Sequence, residues 1–240
     1  LPEQGNAVFI STIHSLCVRI LREDIPAMGM PRNFTVMDAD DQRSILKEAY
    51  KEFGLDKQTY TFGSMLDYIA NNKAAEISPE RAYVFAGDLR GENDKAKVYE
   101  YYVNRQQAIY ALDFDDLLLY TVRMFRQFAE IQAKWVQRFH YIHVDEFQDI
   151  NPVQFRLIRA WSRGGESLFV IGDPDQAIYG FRGSDARCFD RLREERPALR
   201  EITLFRNYRS APPIIGAALP VLSRLPGEAP PRLEAQRGEG

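Results

Sequence analysis

Two short apolar runs, each closing on an acidic cluster, constrain this chain more than any other feature. Tyr141-Ile142-His143-Val144 runs into Asp145-Glu146, and Ser167 to Ile171 runs into Gly172-Asp173. Between them, Pro152 to Trp161 reads as a helix. The order strand, acidic cluster, helix, strand, polar loop predicts two buried strands of a parallel α/β sheet. Ligands of such sheets bind outside the carboxyl ends of the strands. Two strands that both deliver polar clusters at those ends therefore mark a site.

The residues of the clusters suggest its chemistry. An aspartate leaving a buried strand suits a hydrated Mg²⁺ on nucleotide phosphates, because Mg²⁺ takes one or two carboxylates plus phosphate oxygens and water. Asp145 is the candidate metal ligand. The adjacent Glu146 is the candidate base that orients and deprotonates an attacking water. Gln176, in the following loop, is placed to sense the same water or a terminal phosphate. A lone Asp-Glu pair is more often a solvated strand end. The whole string DEFQD followed by GDPDQAIYGFRG favours the site.

Five blocks carry a resemblance. Asp145-Glu146-Phe147-Gln148-Asp149 is similar to motif II of the UvrD/Rep/PcrA helicases of superfamily 1. The run from Gly172 to Gly183 resembles their motif III, and Asn207-Tyr208-Arg209-Ser210 their motif IV. Thr12-Ile13-His14-Ser15 resembles the family's Thr-Phe-His-Ser block, and Asp113-Phe114-Asp115-Asp116 matches another. Their order and spacing follow the family to about Ser223.

The resemblance implies an α/β fold, a partial RecA-like parallel sheet with helices plus an inserted all-helical subdomain. Residues 1–23 would belong to the first RecA-like lobe and 24–112 to the inserted subdomain. Residues 113–200 would complete the first lobe, and 201–240 would begin the second and end in a tail. It implies an ATP-dependent DNA helicase or translocase that uses ATP and Mg²⁺, serves DNA repair or replication, and moves 3′ to 5′ on single-stranded DNA or at single-strand/duplex junctions. Arg209 would be an arginine finger on the terminal phosphate, Tyr208 would stack on adenine, and Gln176 would couple the phosphate to the DNA-binding loop. Thr12 and His14 would touch the DNA backbone, and Tyr179, Phe181 and Arg182 would face the DNA. The family usually has tryptophan where Phe181 stands. Aromatic stacking contributes about 1–3 kcal/mol per base.

Each block has a plainer reading. Thr12 suits a helix cap beside a satisfied histidine, and Arg209 an ion pair at a helix start. Tyr179 and Phe181 would otherwise be core residues. The carboxylates of Asp113 to Asp116 suit the first turn of a helix, where they favour its dipole.

Along the chain, Ala7 to Ile10 reads as a strand and Ser15 to Glu23 as a helix. Asp38 or Asp40 caps a helix that ends at Phe53 before Gly54. Met65 to Asn72 is weakly helical, and Ser78-Pro79-Glu80 starts another helix. Asp94 to Leu112 reads as a long helix, preceded by a loop from Gly87. Lys73, Lys95, Lys97 and Arg105 could meet DNA there or simply form a solvated face. Helices follow from Leu117 to Phe128, from Glu130 to Phe139 and from Asp185 to Glu195. Glu201 to Leu204 reads as a strand, Pro212 to Leu222 as a helix interrupted at Pro220, and the tail from Leu225 as frayed.

Composition narrows the class. A hydrophobic content of 45% supports a real core, and a net charge of −3 argues against a general polyanion binder. DNA contacts must then come from a local surface. No apolar run approaches membrane length, and Cys17 and Cys188 lack metal or disulfide spacing, which suits a reducing cytoplasm. The phosphate cradle of such ATPases, Gly-x-x-x-x-Gly-Lys-Thr/Ser, is missing, for no Gly-Lys pair occurs. The expectation is an internal piece of a longer helicase, inactive alone and self-associating through exposed sheet edges. Two alternatives stand beside it: the helicase subunit of a RecB/AddA-type recombination nuclease, and a non-enzymatic DNA-binding scaffold.

Overall fold

Helix caps written into the sequence set six of the described helix starts. The structure is a computed structural model that describes residues 8–163, 167–177, 187–222 and 233–238. Thr12 caps α1 (Ile13–Asp24) by accepting from Ser15 N. After β1 (Thr35–Val36), Asp38 and Asp41 close a reciprocal capping box on α2 (Ala39–Phe53), and Gly54 ends that helix at φ 64°. Thr61 caps α3 (Phe62–Ala74), and Ser78 with Pro79 opens α4 (Pro79–Ala86). Then come α5 (Arg90–Ala108), β2 (Ala111–Leu112), α6 (Phe114–Gln127) and α7 (Ala129–Arg138). β3 (Tyr141–Val144), α8 (Pro152–Trp161) and β4 (Ser167–Val170) form the crossover. α9 (Cys188–Glu195), β5 (Arg206–Asn207), α10 (Pro212–Leu222) and β6 (Glu234–Ala235) complete the described chain.

The fold is α/β, with helices around short parallel strand pairs: β1 with β2, β3 with β4, β5 with β6. The chain divides into two units, residues 1–144 with 150–170, and residues 145–149 with 171–240. No described helix is long and apolar enough to cross a membrane.

In the first unit, α2 to α5 close over a core that includes Leu46, Tyr50, Met65, Ile69, Tyr99 and Tyr102. The buried faces of α1, α6 and α8 carry Ile20, Leu21, Leu118, Phe125, Leu157 and Trp161. Trp135 of α7 is buried and donates to Asp24 Oδ2 at the end of α1, 2.6 Å away. In the second unit, Phe147, Cys188 and Leu192 are buried.

Several sequence expectations are corrected. The long helix starts earlier, at Arg90, and stops at Ala108, because Tyr110 turns the chain at φ 49° into β2. Val8 to Ile10 form no strand, and Ile10 is 88% exposed. Glu201 to Leu204 likewise have no partner strand among the described residues; the ladder begins at Arg206, paired with Glu234 of the tail that was expected to fray. β3 and β4 pair in parallel from Tyr141↔Ser167 to Val144↔Val170 but are not buried strands. A two-stranded sheet leaves alternate side chains facing outward, and Tyr141 and Phe169 are 64% and 49% exposed.

Candidate functional site

The segment after β3 is short, polar and tightly bonded. Asp145 and Glu146 are exposed. Asp145 Oδ1 accepts from Glu146 N at 2.9 Å. Among the described residues, its second carboxylate oxygen has no protein partner. Glu146 stands at φ 51°, a left-handed backbone that non-glycine residues adopt rarely. A single turn of 3₁₀ helix, Phe147–Asp149, follows. Phe147 anchors it: its N–H donates to Ile171 O at 2.9 Å, and its ring meets Phe189 edge-on at 5.1 Å. The Cys188 thiol donates to Phe147 O.

The two polar clusters are joined through one side chain. Gln148, 2% exposed, donates from Nε2 to Glu146 Oε2 at 2.7 Å and accepts at Oε1 from Asp173 N at 3.0 Å. Asp173 in turn accepts from Asp175 N and, at 2.7 Å, from Gln176 Nε2. A hydrogen-bonded path thus runs from Glu146 through Gln148 and Asp173 to Gln176. Gly172 makes it possible: a Cβ there would press on Gln148 Oε1, on Phe147 N and on the Phe189 ring.

The donor set fits a phosphate-bound Mg²⁺. Asp145 offers an open carboxylate oxygen at the surface, and no group of three or more His, Cys, Asp or Glu among the described residues forms a closed protein cage. Mg²⁺ on nucleotides needs only one or two carboxylates, the other ligands being phosphate and water.

Asn207 organises the next block. Its Oδ1 accepts from Arg209 N at 3.0 Å and from Ser210 N at 2.8 Å. Tyr208 is 69% exposed and lines a cleft of about 740 Å³ with Leu204, Phe205 and Glu234. Arg237 donates to Arg209 O. The Arg209 guanidinium is exposed and has no ion-pair partner among the described residues. No hydrogen bond among the described residues joins this turn to Glu146 or Gln176.

Thr12 and His14 belong to the other unit. Thr12 is the α1 cap, as its plainer reading had it, and its hydroxyl donates to Ser15 Oγ at 2.9 Å. His14 is half-buried against the ring of Phe114, 5.4 Å away, and burial lowers its pKa. Tyr179, Phe181 and Arg182 lie outside the described residues.

Lys73 is neither part of a solvated face nor open to a DNA contact. It is 5% exposed and bonds Asp113 Oδ2 at 2.6 Å, Asp116 Oδ2 at 2.8 Å and Gln106 Oε1 at 3.0 Å. The other three candidate cations are also paired: Lys95 with Glu92, Lys97 with Asp94, and Arg105 with Glu48. Asp113 and Asp116 close a capping box on α6 and are buried with Lys73. The roles of Gln148, Gly172, Asp173 and Asn207 were missed in the sequence. The only signal was their place inside the quoted blocks.

Comparison with known proteins gives a consistent result. The UvrD/REP helicase N-terminal domain family matches residues 2–197. The ATP-dependent DNA helicase PcrA of Staphylococcus epidermidis is 37% identical over 220 residues, which cover 92% of this chain and 30% of that protein. The PcrA helicase of Leuconostoc citreum is 34% identical over 233 residues, 97% of this chain and 31% of the relative. The PcrA helicase of Staphylococcus aureus is 36% identical over 220 residues. The chain spans about three-tenths of the length of these curated relatives.

Proposed function

The chain belongs to the UvrD/REP helicase family, and we propose that the protein carrying it is an ATP-dependent DNA helicase or translocase that acts on single-stranded DNA. The observation that carries this reading is the bonded path from Glu146 through Gln148 and Asp173 to Gln176. It joins a candidate water-activating carboxylate to the loop that precedes Tyr179, Phe181 and Arg182.

Mg²⁺ when bound neutralises phosphate charge, and Asp145 is the residue that would hold it. Glu146 takes the proton of the attacking water as the oxygen adds to the terminal phosphorus and the bond to ADP breaks. Arg209 offers charge to the transferring phosphoryl group, and arginines in that role raise turnover by about 10³–10⁵. Tyr208 stacks on the base and Gln176 senses the terminal phosphate. Thr12, His14, Tyr179, Phe181 and Arg182 face DNA. Residues 24–112 act as a helical insertion in the first lobe, and movement is 3′ to 5′ by family resemblance.

The test is ATP hydrolysis, with and without single-stranded DNA, by the protein expressed from its complete reading frame, beside Glu146→Gln. DNA-stimulated hydrolysis that is lost in the variant supports the reading. Hydrolysis that survives in Glu146→Gln overturns the role of Glu146. This chain alone has no Gly-Lys pair and is expected to be inactive.

A further inference from the structure

Gln148 links the two polar clusters, and its amide is buried at 2% exposure. We infer that Gln148 is a positioning residue that fixes the Glu146 carboxylate against the backbone of the Gly172–Asp173 turn. This rests on the proposed role of Glu146.

The orientation of its amide is dictated by its partners. A carboxylate only accepts, so the group facing Glu146 Oε2 must be the NH₂. A backbone N–H only donates, so the group facing Asp173 N must be the carbonyl oxygen. Of the side chains of this shape, only glutamine supplies a donor on one side and an acceptor on the other without taking up a proton. Glutamate in its place would set a second carboxylate against Glu146; methionine would fill the space and bond neither. The bond to the carboxylate is charge-assisted, and such bonds are roughly twice as strong as neutral ones.

Glu146 needs this support. It is exposed and stands at φ 51°, so solvent exclusion does not hold its side chain. Because Asp173 also accepts from Gln176, a shift of the Gly172–Asp173 turn pulls on Glu146 and Gln176 together.

Two measurements test the inference. In the protein from its complete reading frame, Gln148→Met and Gln148→Glu should lower the kcat of ATP hydrolysis by about 10- to 100-fold, as losing a partner that orients a metal ligand does. KM for ATP should stay within about threefold. A folded variant with unchanged kcat, or one changed only in KM, overturns it. The second measurement is independent of activity. Thermal unfolding of this chain should show Gln148→Glu destabilised and largely restored by adding Glu146→Gln, which supplies an amide donor to the new carboxylate. Absence of restoration overturns the contact. If the parent protein hydrolyses no ATP, the reading of Glu146 as a base fails, while the unfolding cycle still decides whether Gln148 holds it.

Discussion

Lys73 Nζ lies 2.6 Å from Asp113 Oδ2, and both side chains are closed to solvent. Lys73 lies in the last turn of α3, and Asp113 caps α6. Asp116 Oδ2, Gln106 Oε1 and the Tyr102 hydroxyl complete the group. Burial opposes the charge on Asp113, but Lys73 more than offsets it and holds that carboxyl below the usual range. Burial, reinforced by the charge of Asp113, raises Asp116 to about 6.

Lys73→Met should destabilise this chain by about 3–5 kcal/mol at pH 8, because it strands buried carboxylates without a cation. Urea unfolding measures it. The loss should shrink at pH 5, where one carboxyl takes up a proton. A variant as stable as the parent at pH 8 would remove the cluster from the stability of the fold.

Asp116 should make stability fall as pH rises from about 4 to about 6. Folded, it keeps a proton that the unfolded chain has already released above 3.8. Its contribution is therefore full below that value and lost through pH 6. Asp113 acts oppositely, its contribution being lost only as pH falls below the ordinary range. Asp116→Asn keeps the acceptor for Lys73 and should gain on the order of 1–2 kcal/mol over the parent at pH 8, and nothing at pH 4. Unfolding curves across this window with the same slope in both proteins would refute it.

Gly172→Ala should cost about 1–3 kcal/mol, since its methyl group has no space between Gln148, Phe147 and Phe189. The relief available is rotation of Gln148, so Asp173 N–H should also exchange faster with solvent deuterium.

Asn207→Ala should lower stability by about 1 kcal/mol through loss of two backbone caps. Asn207→Asp keeps the acceptor and should retain most of that stability. Equal losses in the two variants would show that the side-chain oxygen is not what orders the turn.

Self-association should appear at high concentration, because Tyr141 and Phe169 stand exposed on the β3–β4 pair. Light scattering checks it, and Phe169→Lys should reduce it. A monomer at every concentration would exclude the pair as an adhesive surface.

The caps were the most legible part of the fold. Asp38, Ser78 and Asp113 stand where their side chains satisfy free helix N–H groups, and that chemistry is local. Strands were legible only where a partner existed. Ile202 and Leu204 have the composition of a strand, yet pairing went to Arg206 and Asn207, which no local preference favours. The acids of the candidate site were readable from their place after apolar runs. Gln148 was not, because its meaning lies in Asp173, and the two meet only through the fold. Lys73 misled for the same reason: a lysine on a helix looks solvated until Asp113 and Asp116 close over it.

The pairing of β1 with β2 gives the helical stretch between them a modular character. Met37 N bonds Leu112 O, and Thr35 N bonds Tyr110 O, so the chain returns to within one hydrogen bond of where it left. An excursion whose ends already meet can lengthen or shorten at little expense to its host, since each doubling of a closed loop adds only about 0.6 kcal/mol of entropy. Evolution could thus remodel α2 to α5 while leaving the flanking residues in register. The restriction on that freedom is the buried group around Asp113 and Asp116, to which any replacement would have to present Lys73, Tyr102 and Gln106 again at the same places.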